Sequence, residues 1–160
     1  MKWLKNILIY LRNTIEIVIP AIAFSLMFIA FVIQVYYRYI LDDPLAWTYE
    51  VTVVGFVWTL IFGAIYARRK DEHVAFSYIY DLVPEKVQFA FRVIGNLLVI
   101  VLIAIAFKPT YEFIQFMEMS ETTTFNIPYN IVYFPFLILM VMLVFYSVKD
   151  IIVDLKNIKN

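Results

Sequence analysis

The sequence predicts an all-α integral membrane protein: four transmembrane helices, with a short interfacial helix between the second and the third. Three observations carry this reading. The chain is 64% hydrophobic, with a mean hydropathy of +0.83, whereas soluble domains are about 45–50% apolar. It contains four long stretches with few or no charges, each near the ~20 residues needed to cross a bilayer. And although the formal net charge is zero, the charges are segregated by position. The spans fall at about 15–37, 48–67, 88–108 and 127–148, forming one membrane domain over residues 1–160, with a single bundle as the expected packing. Cysteine is absent and histidine occurs once, which excludes disulfides, thiol redox chemistry and a thiolate- or histidine-based metal cluster. No cofactor is expected in this chain, nor a nucleic-acid partner, and an enzyme would need reactive groups that are missing.

Residues 1–13 set Lys2, Lys5 and Arg12 among apolar residues at helical spacing, as in a basic amphipathic lead-in for the headgroup layer. A cleaved signal peptide fits poorly, because the apolar run is too long and no A-x-A-like site follows. From Ile17 to Tyr37 there are 21 uncharged residues, the first span. Glu16 lies four residues after Arg12, the spacing of a helical ion pair. Pro20 falls in the first turns, where a missing N–H does least harm. Arg38 ends the span, and Asp42-Asp43-Pro44 makes a short turn. Tyr36, Tyr37, Tyr39 and Trp47 supply an interfacial aromatic belt.

The second span has 17 uncharged residues between Glu50 and Arg68. Gly55, Thr59, Gly63 and Ala67 recur every four residues, so one helix face carries small side chains, where another helix can approach closely. The commonness of glycine in membrane helices is the bland alternative. After Arg68, Arg69 and Lys70, the segment to Pro84 mixes apolar and polar residues, as expected of the interfacial helix. The third span has only 15 uncharged residues, Val93 to Phe107. Arg92 and Lys108 lengthen it by snorkelling. Pro109 bends or ends it, and an acidic, partly amphipathic connection follows. The fourth lies within Thr122 to Val148, which holds no charge. Ile127-Pro128 marks its start, Pro135 should kink it, and a short charged tail closes the chain.

Eleven of the 13 lysines and arginines lie in the N-terminal segment, the loop between spans two and three, or the tail. By the positive-inside rule both termini and that loop are cytoplasmic. The opposite face carries Asp42, Asp43, Glu50, Glu112, Glu118 and Glu121. No span holds a charge at mid-depth, where one costs about 2.5–3.5 kcal/mol and usually marks an ion path. Gln34 and Asn96 are the deepest polar residues, and cross-helix hydrogen bonds are their expected role. Glu50 suits the positive end of its helix dipole, or it pairs with Arg38 across the turn. His73 reads as a headgroup contact. Arg68 and Arg69 read as orientation signals that bind anionic lipid.

With these residues in place the chain resembles the small membrane subunit of TRAP (tripartite ATP-independent periplasmic) transporters, the DctQ-like family. The resemblance covers nearly the whole chain. It is carried by Arg38-Tyr39, Trp47…Glu50, Trp58…Gly63-Ala64, Arg68-Arg69…His73-Val74 and Pro84, then Ile127-Pro128, Tyr133 and Pro135. Where the family often has two adjacent acids after the tryptophan, the first is Tyr49 here, so only Glu50 can carry that role. The resemblance implies a bacterial inner-membrane subunit without its own transport site. A large membrane subunit would bind substrate and sodium ions, and a periplasmic binding protein would deliver an organic acid, sialic acid or a C4-dicarboxylate being the expected class. The small subunit would brace the large one through Gly55, Thr59, Gly63 and Ala67. Asp42, Asp43 and Glu118 could meet the periplasmic protein, and lipid contacts are expected. The competing readings are a self-sufficient homo-oligomeric exporter or channel, and an accessory subunit of another complex.

Overall fold

Apolar runs bounded by turn-forming residues set four long helices. The computed structural model describes Trp3, residues 14–70 and residues 84–158. The basic lead-in, the Arg12–Glu16 pair, His73 and the expected interfacial helix fall wholly or partly outside those residues. A π-helical turn at Thr14–Val18 runs into α1 (Ile19–Tyr39). Pro20, which cannot donate an N–H to the helical ladder, stands at that junction. At the far end, Ile40 N–H donates to the Tyr36 carbonyl (3.0 Å) and Asp43 N–H to that of Tyr37 (3.2 Å). Asp42 takes φ 52°, a left-handed conformation that Asp adopts more readily than most residues. The acidic turn of the sequence is therefore a built turn. It leads into α2 (Ala46–Arg69), where Thr48 Oγ1 donates to the Leu45 carbonyl at 2.6 Å.

α3 (Glu85–Phe116) runs for 32 residues, about 48 Å at 1.5 Å per residue, against a hydrocarbon core of about 30 Å. Pro109 lies inside it and does not end it, since one absent N–H disturbs a single turn and the helix-forming residues on either side carry on. A 3₁₀ turn, Met117–Met119, follows, and Glu121 and Pro128 pair as an isolated antiparallel bridge. α4 (Tyr129–Ile158) contains Pro135. It continues ten residues past Val148, because its late acids find partners across the helices, as shown below.

α1 packs on α2, α2 on α4, and α4 on α3. Among the described residues α1 and α3 make no substantial contact. The four helices form a row of two hairpins joined along α2 and α4, in place of the single bundle expected from size. The physical reason is the solvent. Lipid tails are as apolar as the side chains facing them, so nothing drives the row to close around a core.

Two apolar clusters hold the row. Phe62, Ile65 and Tyr146 interlock α2 with α4, with Trp58, Ile138 and Met142 around them. Ile114, Leu137 and Met140 interlock α3 with α4. The α1–α2 hairpin depends on Gly55. A Cβ there would lie 2.8 Å from Met27 Cβ and 3.1 Å from the Ala23 carbonyl oxygen, whereas at Gly63 and Gly95 it would meet nothing within 4 Å. Gly55→Leu should therefore destabilise the chain by about 1–3 kcal/mol through overpacking, and Gly63→Leu and Gly95→Leu should be neutral. Thermal unfolding of the three variants in detergent, followed by circular dichroism, checks this.

Candidate functional site

The polar side chains that helix formation leaves over are gathered at the two ends of the α2–α4 join. At one end stands Glu50, in the second turn of α2 and only 7% exposed. A buried carboxylate needs donors, and the loop before α4 supplies them. Thr123 Oγ1 donates to Oε1 at 2.8 Å, the Thr124 N–H donates to the same oxygen, and the Phe125 N–H donates to Oε2 at 3.1 Å. The loop is shaped to present them. Thr122 N–H donates to the Ile127 carbonyl (3.0 Å), and Thr122 Oγ1 accepts from the Ile127 N–H (3.0 Å). Asn126 at φ 51° turns the chain, and Tyr129 N–H closes it onto the Ser120 carbonyl at 2.9 Å.

The expected Arg38–Glu50 pair is therefore corrected. Both carboxylate oxygens of Glu50 are engaged by the 122–125 loop, while the Arg38 guanidinium lies exposed over the Tyr39 ring at 5.8 Å. Arg38 is exposed in the last turn of α1. Trp58 makes a second tie. Its Nε1–H donates to the Val132 carbonyl at 3.1 Å, in the turn of α4 next to Pro135, where the proline's missing N–H disturbs the helical ladder.

The other end is ionic. Arg68 Nη2 donates to Asn96 Oδ1 at 2.7 Å and meets Asp150 Oδ2 at 2.8 Å, so one guanidinium touches α3 and α4 from α2. Arg92 Nε donates to Asp154 at 3.0 and 3.2 Å, tying α3 to α4. Asn96 thus has the cross-helix role expected of it. Arg68, taken in the sequence as an orientation signal, is also a structural tie. The Arg69 guanidinium lies over the Tyr66 ring at 5.1 Å.

The remaining candidates are dispersed. Thr59 Oγ1 donates to the Gly55 carbonyl (2.7 Å) and stays half-buried, as do Gly63 and Ala67. The small-residue stripe is thus divided, Gly55 being taken up by α1. Trp47, Asp42, Asp43 and Glu118 are exposed, and Pro128 lies in the bridge before α4. Missed by sequence reasoning were Thr122, Thr123 and Asn130. The Thr-Thr-Thr-Phe-Asn run has turn composition, but nothing local points to an acid 73 residues away. A cavity of about 550 Å³ opens between the hairpins, with Trp58 and Phe62 on one side, Ile114 on another, and Asn130, Phe134 and Ile138 along α4.

A chain whose four helices are long and apolar enough to cross a bilayer, and whose polar groups at the join are used to join its own helices, is a multi-pass membrane component. The comparisons specify which. The chain matches the family described as "Tripartite ATP-independent periplasmic transporters, DctQ component" over residues 27–157, and it belongs to that family. It is the small subunit of a TRAP transporter, a transporter component and not an enzyme, and membership implies association with a large permease subunit. It is 24% identical over 127 residues to the sialic acid TRAP transporter small permease protein SiaQ of Vibrio cholerae, covering 79% of this chain and 71% of that one. It is also 31% identical over 91 residues to the sialic acid TRAP transporter permease protein SiaT of Haemophilus influenzae. That match takes in 57% of this chain but spans only 15% of the relative's length.

Glu50→Gln keeps the shape of the side chain but turns one of the two acceptors into a donor facing donors. The Thr124 and Phe125 amides should then exchange with solvent about tenfold faster or more. The Asn126 amide, held at 3.1 Å by the Thr122 carbonyl within the loop, should change less. Hydrogen–deuterium exchange resolved at these residues checks it.

Proposed function

We propose that this chain braces the large subunit of a sodium-coupled uptake system for an organic acid, sialic acid or a C4-dicarboxylate being the class suggested. The observation that carries the reading is the open row. In its most apolar stretch α3 has no residue buried within the chain, and α2 keeps Val53, Phe56 and Leu60 outward. Its ionic and polar ties, by contrast, are closed on themselves at both ends of the join. Such a chain is finished as a scaffold and unfinished as a surface. The SiaT relative supports the partner, since there the segment like this chain is a small part of a much longer permease polypeptide.

In this reading the substrate and sodium sites lie on the large subunit, and this chain holds no cofactor. Both termini and the Arg68 end face the cytoplasm of a bacterial inner membrane. The Glu50 end faces the periplasm, where exposed Asp42, Asp43 and Glu118 present negative charge to a binding protein. Gly63 and Ala67 lie on the same side of α2 as Phe56 and Leu60, and this is the ridge offered to the large subunit. Lipid fills what the partner leaves.

The test is co-expression with the candidate large subunit and purification through a tag on this chain. A one-to-one complex that transports only with sodium and the binding protein is expected. Gly63→Leu should then lower recovery of the large subunit about tenfold, because one overpacked helix contact costs about 1–3 kcal/mol, while the isolated chain melts as wild type. Reversing Asp42, Asp43 and Glu118 to lysine should weaken transport when the binding protein is limiting. Purification of this chain as a homo-oligomer that moves solute alone would instead establish the exporter reading.

A further inference from the structure

A second polar set lies outside the join, on α3. Lys108, Tyr111, Glu112 and Gln115 fall on one helix face by their spacing, and all four are exposed. Lys108 Nζ and Glu112 Oε1 are 3.8 Å apart, with side chains 84% and 61% exposed. Gln115 Nε2 donates to the Tyr111 hydroxyl at 3.1 Å. Glu112 stands two residues from Ile114, which is buried against α4, so it lies some 200° around the helix from it. The stripe faces away from the chain's own core.

α4 gives the stripe its depth. Arg92 meets Asp154, Asn96 and Asp150 share Arg68, and the Phe113 and Tyr133 rings lie 6.3 Å apart. Each step along α3 is matched by an equal step back along α4, so one antiparallel register holds past Pro109 and Pro135. Lys108, five residues before Phe113, is therefore level with Ile138, five after Tyr133. Ile138 stands nine residues from the start of α4 at Tyr129 and ten from Val148, where its uncharged stretch ends, about 14 and 15 Å of helix. The sequence reads Lys108 as the end of a third span without mid-depth charge; the register with α4 corrects this and sets Lys108 near the middle of the bilayer.

Lipid is a poor neighbour for such a stripe, because hydrocarbon offers a charged or hydrogen-bonding group no partner. A lysine stem of five bonds spans roughly 6 Å, well short of either surface, so snorkelling does not relieve it. The 3.8 Å separation from Glu112 offsets charge but is too long for a hydrogen bond. Over the same heights Phe113 and Phe116 on α3, and Ile131 and Phe134 on α4, are exposed and apolar. The level itself therefore belongs to hydrocarbon, and the stripe is the exception.

We propose that the stripe is a polar contact with the large subunit. One helix of that subunit lies along the half of α3 nearer the Glu50 end and presents hydrogen-bonding side chains, an oxygen acceptor at the height of Lys108 and a donor at the height of Glu112. Since the two charges on α3 offset each other, the partner needs polarity there and no net charge. The proposal rests on the bracing role above and gives it a second face, beside the apolar ridge of α2.

Two measurements test it. Lys108→Cys gives the full chain its single thiol. Spin-labelled there and reconstituted in liposomes, the chain should be reached by oxygen and not by a water-soluble nickel chelate. A label that the chelate reaches as readily as oxygen sets Lys108 among the headgroups and overturns the proposal. In co-expression with the candidate large subunit, Lys108→Leu combined with Glu112→Leu should lower recovery of that subunit about tenfold, the effect of losing one hydrogen bond to a charged group. The isolated double variant should melt as wild type, and Lys108→Gln with Glu112→Gln, which keeps hydrogen-bonding groups, should restore most of the recovery. Recovery unchanged by the leucine pair marks a lipid-facing stripe and overturns the proposal while the bracing role stands. Failure of the unaltered chain to recover the large subunit overturns both.

Discussion

A hydrocarbon solvent gives a polar group no alternative partner, and the join between α2 and α4 follows from that constraint. Between its two ends, contact among Trp58, Phe62, Ile65 and Tyr146 gains dispersion energy but no hydrophobic drive, because lipid competes on equal terms. Dispersion alone would let parallel helices slide by a turn with little change in energy. The polar groups remove that freedom. Glu50 is satisfied where Thr123, Thr124 and Phe125 converge, and Arg68 meets Asn96 and Asp150 together. A one-turn shift of about 5.4 Å would break both ends at once.

That arrangement explains why the chain tolerates an open row. A water-soluble protein of this size would have to bury its apolar faces, and the faces of α1 and α3 would then close on each other. Here the row is held by its seams, and its faces are left to whatever the membrane places against them. The π-helical start of α1, the overlong α3 and the proline inside α4 are irregularities that a closed bundle would accommodate poorly. In a row they cost little, since each disturbed turn has a free side.

The hydrophobic runs made four helices readable from the sequence alone, and the charge asymmetry distinguished two ends. The site was less legible, for reasons that differ by residue. Glu50 stood out by position, but its partners lie beyond the whole of α3, and a threonine run looks the same whether it faces water or a carboxylate. Arg38 was the nearest cation in sequence, and proximity along the chain was a poor guide because donors of the loop before α4 take both carboxylate oxygens. Gly55 and Gly63 share one stripe by period, yet a stripe of four-residue spacing drifts around a helix of 3.6 residues per turn. Across the eight residues from one to the other the drift is about 80°, enough to point Gly55 at α1 and leave Gly63 open.

That same drift gives the stripe a physical sense under the bracing role proposed above. One small residue lets α1 settle on α2, which fixes the hairpin before any partner arrives. The next three turn progressively away, so the close approach that folding uses and the close approach left for association sit on one helix without competing for one face. A helix with mid-membrane charges could not be divided in this way, because its own folding would consume each polar group facing outward or leave it unpaired in lipid. By confining ionic ties to the helix ends, the sequence frees the whole central depth of α2 for packing. Under the bracing role proposed above, that is the apolar surface the chain would offer to the larger subunit.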